Sequence, residues 1–454
     1  MPQADRSEPT DPAAHIAGEF AQLADAPGAA VDRDLLPPND RTRARVLNAM
    51  DSTHAAQDRH ATSALSADAE SLRQDIAVLA REPGVAPDRD LLAAYAASAA
   101  ANSLRALRAD VSAFDAWCHA RGSRCLPASP QLVAEFLKAR AGEGAAPASL
   151  TRYRASIAKL HRLCRVADPC QDELVKLTLA AHRRAAGVAQ TQARPLRFKG
   201  AVKDPFADAP RGINVRAALD ACGDTLTELR DRALLSVAYD TGLRASELVA
   251  IQREDIVEAL DPDARLLKIA RSKGDQEGQG ATAYLSPRSV AALTRWLEEA
   301  GIATGAVFRR VIVRRYAARP ARGKINSNSV GWNARWDRTW FTGKEATPAR
   351  VEYDVGDAAL HSGSVTPIFR EILRRAFKAG AFGDLDAKVF TKQLSQISAH
   401  STRVGINQDY FAAGENLAGI MDALRWKSPR MPLLYNRNLA AEQGAAGRLL
   451  GKMK

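Results

Sequence analysis

His400-Ser401-Thr402-Arg403-Val404-Gly405, then Arg425-Trp426-Lys427, then Leu433-Leu434-Tyr435-Asn436-Arg437, is the stretch on which the reading of this chain turns. It gathers an imidazole, a guanidinium, an indole and a phenol into one short window near the carboxyl end. A phenol with an unperturbed pKa of about 10 is a poor nucleophile at neutral pH, so a chain that uses one must surround its target with positive charge and proton donors. Those groups are present here. A His three residues before an Arg also occurs on many solvated helix faces, so the window needs a second cluster to become a site.

That cluster lies far upstream, in Asp240-Thr241-Gly242-Leu243-Arg244-Ala245-Ser246-Glu247-Leu248. It reads as a helix end, a glycine turn and an Arg entering a new helix that runs toward Ile251. Acidic residues, not basic ones, suit a helix start, so backbone amides and guanidinium together are expected to hold an anion such as phosphate. Between the clusters, Leu266 to Arg271 and Ala281 to Ser286 alternate apolar and polar residues around a Gly-rich stretch, which predicts a β-hairpin. Lys273 opens that loop, where it is either ordinary surface or a long cation able to reach a ligand.

Taken together, Arg244, Lys273, His400, Arg403, Trp426 and Tyr435 resemble the tyrosine recombinase (phage integrase) family. The resemblance is strongest from His400 to Leu450, weaker over residues 212–454, and carried by helix pattern alone back to about residue 90. Trp426, where many members have a His, and the nine-residue step from it to Tyr435 are similar to the Cre-like branch.

The resemblance implies a site-specific DNA recombinase. Arg244 and Arg403 would clamp one DNA phosphate, Tyr435 would attack phosphorus to form a 3′-phosphotyrosyl link, and Lys273 would protonate the leaving 5′-oxygen. His400 would assist the phosphate or the tyrosine proton. Trp426 would donate its indole N–H, which cannot act as a base. Glu247 would orient the basic groups, or simply pair with Arg244 one helical turn away. Exchange would run through a Holliday junction, with four protomers holding two inverted-repeat sites and a carboxyl-terminal helix near Ala445–Leu450 docking on a neighbour. The same chemistry would serve a type IB topoisomerase or telomere resolvase, and the fold alone would serve a non-catalytic DNA-binding protein.

No Gly-x-x-x-x-Gly-Lys-Ser/Thr loop is present, and the eight His and five Cys do not cluster at ligand spacings, so neither nucleotide nor metal cofactor is expected. The net charge of +12 and pI near 9.6 fit a double-stranded DNA partner. Residues 1–100 carry 9 Lys+Arg against 16 Asp+Glu, so the remaining chain holds +19. An odd cysteine count without a signal peptide points to a reducing cytoplasm, bacterial or at the nucleoid, and no apolar run approaches the roughly 20 residues of a membrane span.

The expected fold is mainly α: an N-terminal helical-bundle core-binding (SAM-like) domain, then a mixed, mostly helical catalytic domain with a small β-sheet. Residues 1–87 form an acidic, Ala-rich extension, partly disordered or loosely helical. Within it Leu23–Leu36 recurs as Leu79–Leu92 with ten of fourteen positions identical, a partial duplication rather than a solenoid. Over 88–188 four or five helices follow from stripes such as Leu104, Leu107, Val111, Phe114 and Trp117, or Leu174, Leu177, Leu179 and Ala180. Arg105, Arg108, Arg152, Arg154, Lys159 and Arg162 lie off these stripes, as a DNA-facing row or a solvated face. Residues 189–211 read as a linker and 212–454 as the catalytic domain. Its segment 305–363 is longer than the family pattern, and Arg314, Arg315, Trp332, Trp336 and Trp340 would either contact DNA or pack an inserted subdomain. The following helix, with Pro367 in its first turn, would enter the major groove with Ser364, Thr366 and Arg370 as base readers.

Overall fold

The computed structural model describes residues 70–76, 78–79, 85–187, 192–270, 280–322, 344–443 and 453. The chain forms two compact units, Met1–Gln190 and Thr191–Lys454.

In the first unit, after helical residues 70–76 and 78–79, five helices with both ends described follow one another: α1 Arg89–Ser98, α2 Ala101–His119, α3 Pro130–Gly142, α4 Pro147–Leu163 and α5 Glu173–Ala186. Their starts follow from local chemistry. Asp88, Ser129 and Asp172 each accept a backbone N–H of the first turn, and Pro130 and Pro147 occupy positions where no N–H is needed. Leu104, Leu107, Val111, Phe114 and Trp117 are buried as their spacing predicts, with the Phe114 and Phe136 rings 4.9 Å apart. The α5 stripe differs. Val175 and Leu179 are buried there, whereas Leu174, Leu177 and Ala180 are exposed, because neighbours cover a narrower face of α5 than its leucines offer. The second repeat copy supplies the Asp88 cap and first turn of α1; the first copy lies outside the described residues.

The second unit is built around α7, Leu226–Thr241, which is buried on nearly every side. Around it stand α6 Val215–Asp220, α8 Ala245–Val249, α9 Pro287–Glu299, α10 Val365–Lys378, α11 Ala387–Ser395, α12 Ser401–Ala412, α13 Leu417–Ala423 and α14 Arg430–Gln443. The predicted hairpin is present as β2 Arg265–Ile269 and β3 Ala281–Leu285, with Leu267 opposite Ala283. A short strand, β1 Ile256–Glu258, extends it to a three-stranded antiparallel sheet. Trp296, Phe308 and Phe369 fill the core, and the Trp296 indole N–H donates to the Val307 carbonyl at 2.9 Å.

Two features differ from the sequence expectation. From Arg194 on, residues expected in the linker are pinned to this unit: Arg194 N–H donates to the Gln396 carbonyl at 3.2 Å and Leu196 N–H to the Ser401 carbonyl at 2.9 Å. Gly405 permits this approach, since a Cβ there would lie 2.0 Å from the Leu196 carbonyl oxygen. The long segment after Gly305 contains a two-stranded antiparallel ribbon, β4 Arg309–Tyr316 with β5 Arg350–Ala359, whose residues are mostly exposed. Trp332, Trp336 and Trp340 lie outside the described residues.

Candidate active site

Helix α7 ends at Thr241, and Gly242 turns the chain with a left-handed φ of +55°. A side chain at that position would press on Leu424, its Cβ 2.7 Å from a Leu424 methyl. The turn delivers Arg244 to the N-cap of α8. Its backbone N–H donates to Glu247 at 3.0 Å and its guanidinium to the same carboxylate at 2.7 Å. The N-cap amide expected to greet an anion is therefore satisfied internally, and the anion-directed group is the partly exposed guanidinium. Burial pushes the Glu247 carboxyl pKa up, but the Arg244 N–H and guanidinium outweigh it and hold the pKa below the usual range.

Arg403, on the first turn of α12, is 2% exposed. Its two terminal nitrogens donate to the Gly242 carbonyl at 2.5 Å and the Leu424 carbonyl at 2.7 Å. Its guanidinium carbon sits 4.7 Å from the centroid of the Trp426 ring. These partners are neutral, and no salt bridge to Arg403 occurs among the described residues. Burial, with the neighbouring cations Arg244 and Arg425, lowers its pKa to about 10, so it stays charged at neutral pH.

Tyr435, on α14, is 7% exposed. Its hydroxyl lies 2.6 Å from His400 Nε2, and its ring stands beside the rings of His400 and Trp426, with centroids 5.6 and 5.7 Å away. Helix α12 holds the Tyr435 backbone: Gln408 donates to the Tyr435 carbonyl at 2.9 Å, and Asn407 to the Asn436 side chain at 2.8 Å. Burial lowers the His400 pKa to about 4, aided by Arg403 and Arg244, so the imidazole is neutral at pH 7 and its Nε2 can accept the phenol proton. Burial raises the Tyr435 pKa, while the same two arginines pull it down.

Arg244, His400, Arg403, Trp426 and Tyr435 thus converge, with Glu247 behind Arg244. Lys273 lies outside the described residues; nearby Lys268 is exposed on β2 opposite Thr282. The expected groove readers are engaged within the unit. Thr366 Oγ1 accepts the Ala399 N–H at 2.9 Å, and Arg370 donates to the Ile397 and Ser395 carbonyls at 2.9 and 2.7 Å, so both brace the loop that presents His400. Ser364 is the half-buried residue before α10.

In the helical unit, Arg108 pairs with Asp75 at 2.7 Å, Arg152 with buried Asp110 at 2.9 Å, and Arg154 donates to the Cys170 carbonyl. The Lys159 ammonium lies 4.5 Å from the Tyr95 ring centroid. Arg105 and Arg162 are exposed and bond only locally, to Asn102 and the Ala158 carbonyl.

Sequence reasoning missed Arg425 and the Arg197–Asp409 pair. Arg425 has a left-handed φ of +56°, rare for a side chain of its size, and donates to the Thr241 carbonyl at 2.8 Å, next to the carbonyl held by Arg403. Asp409 accepts from Arg197 at 2.6 Å, from the Phe198 N–H at 2.8 Å and from the Tyr239 hydroxyl at 2.5 Å. The available signal was the polar run Asn407-Gln408-Asp409, buried in the middle of α12.

The sequence model of the Phage integrase family matches residues 211–332, and that of the phage integrase N-terminal SAM-like domain matches 93–165. An integrase/recombinase xerD homolog of Selenomonas ruminantium is 30% identical over 225 residues, and the recombinase cre of Escherichia phage P1 is 25% identical over 338. The chain is similar to tyrosine recombinases of the phage integrase family in both its helical and its second unit. These alignments cover 47% and 74% of this chain. A tyrosine recombinase XerC of Xanthomonas campestris pv. campestris is 29% identical over 44% of this chain. The chain spans 61% of the xerD homolog, 54% of that XerC and 83% of the cre protein. The catalytic-family match includes Arg244 and Glu247 and ends before His400, so the second half of the site rests on its motif and its geometry. Among the described residues, no helix is long and apolar enough to cross a membrane.

Proposed function

We propose that this protein is a site-specific DNA recombinase that cuts and rejoins duplex DNA through a covalent link to Tyr435. One observation carries the reading: the Tyr435 hydroxyl lies 2.6 Å from His400 Nε2 beside Arg403, which is 2% exposed and forms no salt bridge with a described residue. A phosphodiester supplies the missing negative charge, and Arg244 and Arg403 neutralise what accumulates on its oxygens as phosphorus becomes pentacoordinate. Tyr435 Oη attacks phosphorus as its proton passes to His400 Nε2. The bond to the 5′-oxygen breaks, that oxygen takes a proton, and a 3′-phosphotyrosyl link remains. By family resemblance the donor of that proton is Lys273. The link conserves the phosphodiester bond energy, so religation to a second 5′-hydroxyl needs no nucleotide hydrolysis.

Pairing two such sites, each an inverted repeat, on four protomers yields strand exchange through a Holliday junction. The test starts from a library of inverted-repeat duplexes and recovers complexes that survive denaturation. The expected adduct carries a free 5′-hydroxyl, and Tyr435→Phe abolishes it while still binding DNA. An adduct that persists in Tyr435→Phe overturns the assignment. Two-site plasmids then separate outcomes, since resolved circles support recombination, whereas only relaxed or hairpin-ended products favour a topoisomerase or resolvase.

A further inference from the structure

The ribbon of β4 and β5 is the largest feature of the catalytic unit that this mechanism leaves unused. From Val311 opposite Val355 to Tyr316 opposite Arg350 the strands keep one register, and the isolated bridges Arg319 to Thr347 and Arg322 to Lys344 continue it unchanged. At about 3.3 Å per residue the ribbon extends on the order of 35 Å. Val311 and Val355 pack on the core at its root, and beyond them the residues are exposed apart from half-buried Gly356 at the base. The root is placed close to the catalytic pocket, because the 3-10 turn Ser362–Ser364 that follows β5 contacts α8, the helix capped by Arg244.

The two faces of the ribbon differ. Strand alternation puts Ile312, Arg314 and Tyr316 on one face with Arg350, Glu352 and Asp354. That face neutralises itself: Arg314 pairs with Asp354 at 3.1 Å, Arg350 with Glu352 at 2.8 Å, and the Arg350 guanidinium lies over the Tyr316 ring. The opposite face presents Val313, Arg315 and Arg319 with Thr347, Val351 and Tyr353, and it has no carboxylate between the Val311 and Arg319 rungs. Arg315 and Arg319 form no ion pair with a described residue.

We infer that the ribbon is a DNA-binding arm that lays its Arg315–Arg319 face along duplex DNA beside the cleavage site. This rests on the proposed DNA-cleaving function and extends it to a second contact. A two-stranded ribbon fits the major groove, which is about 12 Å wide, and the arm's length matches about one turn of B-DNA. Arginines bind phosphates or guanine edges, while Val and Thr methyls meet thymine methyls. A protein partner would need carboxylates opposite these arginines, whereas duplex DNA offers negative charge at every step.

The experiment measures affinity against salt for the full chain, using duplexes of one arbitrary sequence, 20 and 60 base pairs long (about two and six turns). Arg315→Gln/Arg319→Gln is compared with Arg314→Gln/Arg350→Gln, which removes the same charge from the self-neutralised face. On the longer duplex the first variant is expected to flatten the slope of log affinity against log salt by about 1.8, from about 0.9 per phosphate contact. Between 50 and 200 mM salt the wild type then loses about tenfold more affinity than that variant. The second variant stays close to wild type, and both should unfold like wild type, as surface changes do. Equal slope changes in the two variants, or none in either, overturn the arm. An unchanged slope with altered self-association of the DNA-free protein also overturns it, in favour of a contact between copies. If the wild type itself fails to bind either duplex, the DNA-cleaving function falls too, which separates the two failures.

Discussion

Two buried guanidiniums on opposite flanks of α12 have opposite electrostatic situations. Arg197 packs against the Asp409 side and is matched by that carboxylate at 2.6 Å, which also collects the Phe198 N–H and the Tyr239 hydroxyl. Arg403 lies six residues earlier on the helix and is held by two carbonyls and an indole face. Both are almost fully buried. Burying a charge costs several kcal/mol unless it is compensated. The compensated arginine is scaffold, tying the segment around residues 194–198 to the helix. The other has only neutral hydrogen-bond partners, and in the proposed function it meets the charge of a phosphodiester that the phenol beside it attacks.

Replacing each arginine by methionine gives the sharpest way to break this contrast. Arg403→Met should lower the rate of adduct formation by roughly 10²–10³-fold or more, the scale of losing one preorganised charge donor at a transition state. Its effect on DNA-free stability should stay near 1–2 kcal/mol, because two carbonyls lose partners but a buried cation is also removed. Arg197→Met strands Asp409 and should cost about 3–5 kcal/mol. Chemical denaturation and single-turnover cleavage on the same preparations check both. If Arg403→Met proves as destabilising as Arg197→Met, Arg403 is scaffold as well.

Gly405→Ala tests whether the two flanks depend on one another. The new methyl would meet the Leu196 carbonyl oxygen at 2.0 Å, and backbone cannot swing aside as a side chain can. Displacing the 194–198 segment should cost about 1–3 kcal/mol. It should also slow cleavage, since Leu196 N–H binds Ser401 at the start of the helix that carries Arg403. A variant with lost stability and unaltered cleavage would show that the flanks act independently.

The legible parts of this protein are those written as local pattern. Apolar spacing located α2, and the order of Arg244 with Glu247, then His400, Arg403, Trp426 and Tyr435 marked residues that the fold brings together. The α5 stripe misled because its leucines outnumber the neighbours available to cover them. Arg197 and Asp409 were illegible, since their meaning lies in a contact across 212 residues. Thr366 and Arg370 looked like free polar groups because a helix start gives no sign of the carbonyls and amides it will meet. Arg425 was hidden for the same reason, its left-handed backbone being invisible in its neighbours.

The smallest effect expected is on pH dependence, and it separates the candidate site from the helical unit. His400 titrates near 4 in the folded protein against about 6.5 when unfolded, because burial and then Arg403 and Arg244 oppose its charge. Between those values the unfolded chain holds more protons, so stability must fall as pH drops from 6.5 toward 4 and level off above 6.5. His161 in the helical unit is lowered too, chiefly by burial. Its Nε2 accepts the Ala128 N–H at 2.9 Å, a bond that protonation would remove, so its sign is the same. Denaturation from pH 4.5 to 7.5 should therefore show a flatter slope in His400→Gln than in wild type, with the His161 contribution left behind. Bound DNA adds the second distinction: a phosphate between Arg244 and Arg403 offsets the cations that depress His400 and raises its pKa, while His161 lacks that arginine pair. The DNA complex of Tyr435→Phe, which binds without cleaving, should consequently lose less stability on acidification than the free variant. Equal losses would mean that the anion does not settle between these two arginines.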